Sequence, residues 1–332
     1  MRGRHRRILR AATVVCVLTM AVSATSWADS SADGSEVTAA AKASSGDKMP
    51  DTSVVYSNLT VMRLNPLGLQ NRFGLFWRKR LSDSDSVLKK NTYAMAGVTA
   101  MLTPSLQRVG ARVEVQPLAV LQLFAAADFV WFMGNFDYMT SYKSANVDYS
   151  DTALAAAADR GENYSATGMR LTFGGMLQAK VRNIALRSNT RVHYFNMNTQ
   201  NGDTVWFDIF DDLLTPQRGF TFVQNNDLLY VKGRLVAGLR HTWSRSFLPD
   251  SAMQGAPTGA DMRDQTHRLG PFVAYRLNDD AKYTASMFSR PTLVVLTQWW
   301  LQHPWRTGQD VTQAFPWTVI AFAFGGQFSG SN

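Results

Sequence analysis

The chain has 332 residues, enough for one large domain or two ordinary ones. Charged residues make up 18% and aromatics 11%, a balance that suits strands with one face in lipid. The formal charge of +9 includes Arg2, Arg4, Arg6, Arg7 and Arg10, with no acid before Asp29. Removing those five leaves +4 and no basic run, so no nucleic-acid partner is expected.

Residues 1–28 read as a cleaved secretory signal. A basic start precedes an apolar run at 11–22, and Ser26-Trp27-Ala28 has the small-x-small shape of a cleavage site. The run is shorter than the roughly 20 residues of a spanning helix. Cys16 is the only cysteine and lies in this segment. The rest of the chain then has no disulfide and no thiolate, and no metal or other cofactor is expected. Residues 29–51, rich in Ser, Ala and Asp, read as a flexible linker. Residues 52–66 hold a short strand that ends at Asn65-Pro66. It stays in the periplasm, enters a lumen or joins a sheet as an extra strand, and the sequence leaves these three open.

From Leu67 the signal has period two. Leu69, Phe73, Leu75 and Trp77 alternate with Gln70, Arg72, Phe76, Arg78 and Arg80, with Asn71 as a lapse on the apolar side. The same alternation recurs around Val109–Gln116, Thr167–Gly174, Leu186–Tyr194, Arg234–Trp243 and Arg268–Leu277. Residues 118–133 are nearly all apolar but are interrupted by Gln122 and Asp128, and read as a strand with small or apolar inner residues. No convincing amphipathic helix intervenes, so a closed all-β sheet is expected. The last stretch, 314–328, alternates too. Trp317, Val319, Ala321 and Ala323 point one way; Thr318, Ile320, Phe322 and Phe324 point the other.

With a secretory signal at one end and this stretch at the other, the chain resembles bacterial outer-membrane β-barrels. Their last strand carries an assembly signal ending in an aromatic residue, a pattern that Phe322, Phe324 and Phe328 follow loosely before the tail at 329–332. The resemblance implies a transmembrane antiparallel up-and-down β-barrel over residues 67–328, with outer-membrane lipids and the barrel-assembly machinery as partners.

Such barrels place short turns in the periplasm and long loops outside. Long polar segments fall at 82–92, 134–164, 198–219, 248–264 and 302–312, and short links near Pro117, at 182–183 and at 232–233, with a longer one at 278–291. Alternating them gives about 10 strands with both termini in the periplasm, provided residues 93–116 form one strand kinked at Pro104. Splitting that strand and adding one over 205–213 gives the alternative of about 12. Pro117-Leu118-Ala119 echoes Pro66-Leu67-Gly68, which suggests equivalent turns. Trp77, Tyr93, Trp131, Tyr194, Trp243 and Trp317 are expected at the outer ends, where Trp and Tyr favour the headgroup boundary.

The inward positions are strongly basic. Arg72, Arg112, Arg170, Arg187, Arg191, Arg234, Arg240 and Arg276 lead the set, and Glu114 is the clearest acid among them. Guanidinium forks suit carboxylate or phosphate, so a narrow channel or binding barrel for small anionic solutes is one reading. A closed structural or surface-interaction barrel, filled by paired arginines, is another. A rim hydrolase needs a His beside carboxylates, for which Asp211, Asp212, Asp261, Asp264 and His267 are the candidates. No nucleophile elbow, phosphate-binding Gly loop or metal-ligand spacing is present.

Overall fold

A computed structural model describes residues 49–84, 86–89, 91–136, 138–253, 264–278, 289–305 and 315–331. The signal at 1–28, most of the 29–51 linker and Asp261 lie outside the described residues.

The wall is built from β1 (Thr52–Leu64), β2 (Gly68–Arg80), β3 (Tyr93–Leu102), β4 (Leu106–Leu118) and β5 (Leu121–Phe132), then β7 (Ala166–Val181), β8 (Ile184–Met197), β11 (Arg218–Lys232), β12 (Leu235–Ser246), β13 (Gln265–Arg276), β14 (Ser289–Gln302) and β15 (Trp317–Ser331). Each pairs antiparallel with its neighbours, and β15 pairs with β1 to close the barrel. Three short strands, β6 (Ser141–Tyr142), β9 (Val205–Asp208) and β10 (Leu213–Pro216), form a separate sheet in the order β10-β9-β6. Helix α1 (Asp151–Asp159) is capped by Ser150, whose Oγ accepts the Ala153 N–H.

Alternation explains the wall. Leu69, Trp77, Val113, Phe173 and Leu239 are exposed on the outside, while Gln70, Phe76, Arg78, Arg112, Glu114, Thr172 and Arg240 beside them are buried inside. An apolar outer band with every strand paired is what spans lipid, because no backbone donor or acceptor is left facing hydrocarbon. The protein is a transmembrane antiparallel β-barrel. The lapse at Asn71 has a local cause. Its amide donates to Asn58 Oδ1 (3.1 Å) and Thr60 Oγ1 (2.9 Å) on the neighbouring outer face of β1.

The strand count is twelve, the higher of the two expected, but it is reached by another route. Residues 52–64 join the wall as β1. Residues 93–118 split in two because Thr103 Oγ1 accepts the N–H groups of Ser105 (3.2 Å) and Leu106 (2.8 Å), closing a turn around Pro104, which has no N–H for a ladder. Residues 205–213 leave the wall for the inner sheet. The added strand and the split compensate, so the parity of every later strand is as expected from sequence.

Between them, however, the sides change. The connection at 81–92 lies at the end where β1 starts and β15 finishes, together with 119–120, 182–183, 233–234 and the strand ends that 277–288 joins. The turns at 65–67 and 103–105 lie at the opposite end, with the strand ends that 133–165, 198–217, 247–264 and 303–316 join. The Pro66 and Pro117 turns therefore sit at opposite ends. Trp77 and Tyr93 stand at the terminal end rather than beside Trp131, Tyr194, Trp243 and Trp317 at the loop end.

Candidate functional site in the lumen

Two of the long connections do not stay above the barrel. Parts of 133–165 and 198–217 fold inward, and every residue from Val205 to Pro216 is buried, while Asn201 and much of helix α1 stay exposed. The β9–β10 hairpin is the tip of this plug. Its turn is held by the Phe210 N–H donating to Asp208 Oδ1 (2.8 Å) and the Asp212 N–H donating to the Asp208 carbonyl (2.8 Å). Apolar packing seats it: the Trp206 ring meets Phe132 and Phe195 edge-on at 5.5 and 5.4 Å between centroids. Polar contacts orient it. Arg63 Nη1 donates to the Ile209 carbonyl at 3.0 Å, the Arg63 and Arg108 guanidinium groups lie over the Phe210 ring, and His303 Nε2 is 3.1 Å from Asp212 Oδ2. At the edge of the plug sheet, burial, then Glu162 and Asp148, push the Tyr142 hydroxyl up to about 12, so it stays neutral.

Below the tip the wall is polar and largely ion-paired. Glu114 accepts from Arg112 Nη2 (2.8 Å), from the Tyr93 hydroxyl (2.6 Å) and from Gln122. Asp128 pairs with Arg170 at 2.7 Å. Asp227 lies between Arg187 and Arg240, with contacts of 2.6 Å to each. Aromatic faces take up other guanidinium groups: Arg112 over Phe124 at 4.1 Å and Arg268 over Trp317 at 4.4 Å. A cavity of about 70 Å³ remains among Arg72, Arg108, Arg112, Arg170 and Asp128, room for several waters or a small ion. Gly110 keeps its wall close, since a Cβ there would strike the Ala127 carbonyl and Asp128 Oδ1.

The expected arginines 72, 112, 170, 187, 191, 240 and 276 are all buried. Arg234 is not. The β11–β12 turn takes in Gly233, at φ +57, and Arg234, which is left exposed and donates to the Leu277 carbonyl at 3.3 Å. Two inward arginines, Arg63 and Arg108, escaped the sequence reading although Arg108 shares the parity of Arg112. Among the described residues eleven buried arginines face seven buried acids: Glu114, Asp128 and Asp227 on the wall, and Asp203, Asp208, Asp211 and Asp212 in the plug.

The hydrolase candidates are dispersed. Asp211 and Asp212 sit in the buried hairpin turn, Asp264 pairs with Arg245 (2.9 Å), and His267 lies on the outer face, stacked on Trp243 and 3.2 Å from His241. The Asp–His pair that does form, Asp212 with His303, has its second ring nitrogen occupied, because His303 Nδ1 accepts the Trp305 N–H at 3.0 Å.

No protein family and no curated protein matches the chain. Among solved structures it is similar to the NanC porin, at 8% identity and a TM-score of 0.36, covering 82% of this chain and 100% of that one. It is similar to OccAB1 of Acinetobacter baumannii, at 11% and 0.39, covering 82% of this chain and 65% of that one. A shortened mutant of TodX, a monoaromatic hydrocarbon channel, gives 10% and 0.37, covering 92% and 96%. The chain has the fold class of outer-membrane β-barrels. Within that class the lumen is set by width and filling. Barrels of about eight strands are filled by side chains, and those of sixteen or more hold an aqueous channel. This twelve-stranded barrel lies between, and its plug hairpin occupies the space that the extra strands open.

Proposed function

We propose that the protein is a narrow outer-membrane channel for small anionic solutes, held shut by the β9–β10 hairpin in the described conformation. The observation that carries this reading is the excess of buried arginine over buried acid along one lumen. Fixed positive charge in a confined aqueous path attracts anions and repels cations, and guanidinium groups offer forked donors to carboxylate or phosphate. Export by the signal at 1–28 and residence among outer-membrane lipids belong to the same reading.

The hairpin offers a clean test because its neck is already closed. The Gln217 N–H donates to the Thr204 carbonyl at 2.7 Å, so residues 205–216 can be replaced by two glycines without moving the wall. In planar bilayers the shortened protein should conduct where the intact one barely does, and its reversal potential in a salt gradient should show anion preference. Arg112→Gln with Arg170→Gln should reduce that preference. A folded shortened barrel that prefers cations would overturn the proposal.

A second reading, a closed structural barrel, is favoured by the pairing of all three wall acids with arginines. A shortened barrel that stays non-conducting and melts earlier than the intact protein would make it the better account.

A further inference from the structure

The loop end of the wall is uneven. Elsewhere its strands are joined by long connections, but at β1–β2 and β3–β4 they are joined by the tight turns 65–67 and 103–105. At this low rim lies a cavity of about 340 Å³, within the range that encloses small organic ligands. Its inner side is Val61, Val319 and the plug tip, Ile209 and Phe210. Its outer side is Met62, Leu67 and Leu69, whose side chains are exposed where the barrel meets lipid. Phe136 and Tyr138 cover it from the 133–165 connection.

Thr103 and Ser105 of the β3–β4 turn border the mostly apolar cavity, and two larger polar side chains line its depth. Arg63 and Gln70 come from adjacent strands, and both are more than nine-tenths buried. An apolar cavity with a few convergent polar groups is the pattern of a ligand site, where the apolar lining gives affinity and the polar groups set orientation. A guanidinium in such a setting favours an anionic head, since charge-assisted hydrogen bonds strengthen away from water.

We propose that this rim cavity binds an amphiphile with an apolar body and a single carboxylate head. The body lies between Met62, Leu67 and Phe210, and the carboxylate meets Arg63 and Gln70. The lip faces the lipid boundary, so the ligand enters from the side without passing the plug. The site does not depend on the lumen conducting, and it stands whether or not the channel reading holds.

The test uses the full barrel in nanodiscs, with decanoate, decanol and butyrate as probes in calorimetric titration. Decanoate should bind at least roughly tenfold tighter than decanol, through the Arg63 contact, and butyrate should show no binding. Ser105→Trp, in the β3–β4 turn, should fill the cavity and abolish binding of both longer probes. Leu67→Glu, at an exposed lip position, should weaken decanoate more than decanol. Arg63→Gln should remove the preference for decanoate over decanol. Retained gel mobility of the unheated barrel shows that each variant is folded. Equal binding of decanoate and decanol by the wild type would overturn the proposal. So would binding that survives both Ser105→Trp and Leu67→Glu, or a co-purifying phospholipid that decanoate fails to displace.

Discussion

Asp227→Asn tests whether the ion pairs of the lumen are dry. The carboxylate accepts from Arg187 Nε at 2.7 Å, Arg240 Nε at 2.6 Å and Arg240 Nη2 at 3.0 Å, and its side chain is 1% exposed. Asparagine keeps one oxygen and sets an NH2 group in place of the other, so donors face donors on one side of the cluster. Each charge-assisted bond lost is worth about 1.5–3 kcal/mol. Each guanidinium, at about 4 Å and an effective dielectric of about 20, also loses about 4 kcal/mol of attraction. Part of this is offset because the substituted amide costs less to bury than a carboxylate. The expected net loss is about 3–5 kcal/mol, the range for removing one partner of a buried ion pair. Reversible urea unfolding in lipid vesicles, followed by tryptophan fluorescence, reads it directly. Adding Arg240→Gln should recover about 1–3 kcal/mol, because the two positions share one network. A loss below about 1 kcal/mol, typical of an exposed pair, would show that water bathes the cluster and refute the dry lumen.

Further outcomes follow from the same geometry. Cysteines at Asn183 and Gly233 should react with an impermeant thiol reagent only from the periplasm, and one at the exposed Asn201 only from outside. A cysteine at Asp211 should stay unlabelled in intact cells, because the plug buries it. Leu228→Arg, which puts a charge on the outer face of β11, should cost about 2–4 kcal/mol at the bilayer midplane, measured by the same unfolding titration. His303→Ala removes the contact to Asp212 and should raise the frequency of brief openings in bilayer recordings of the intact barrel, with no change in mean lumen selectivity.

The wall was legible because lipid and lumen impose opposite demands on neighbouring residues, and period two survives in β2, β4, β7 and β13 without any tertiary information. Where both faces are polar the signal fades. Asp227 sits in the run Gln224-Asn225-Asn226-Asp227, so its parity does not stand out, although it anchors two arginines. The plug was not legible as a plug. Residues 205–213 alternate poorly, mixing apolar side chains with Asp208, Asp211 and Asp212, as a wall strand with a polar inner face also can, and only the packing of Trp206 against Phe132 and Phe195 tells the two apart. The pair Asp212–His303 joins residues 91 apart and leaves no local trace. Asn71 carried a readable anomaly whose cause, the Asn58 and Thr60 ladder, lies on a strand whose place in the wall the sequence left open.

The seam between β1 and β15 pairs Thr52 with Ser331 and Leu64 with Thr318, so the first strand of the wall waits for the last. Each other wall contact joins strands adjacent in the chain or separated by one connection. Until the final strand arrives, the growing sheet therefore carries two raw edges, each a row of unmatched donors and acceptors that will accept any extended chain. Closing a loop of such length comes late and is slow, because its entropy is spent before any seam bond forms. Closure at this seam should thus be the slow step of assembly. A substitution that loosens the seam should change the closing rate little, because the seam bonds form after that step, and should instead make the mature barrel reopen faster.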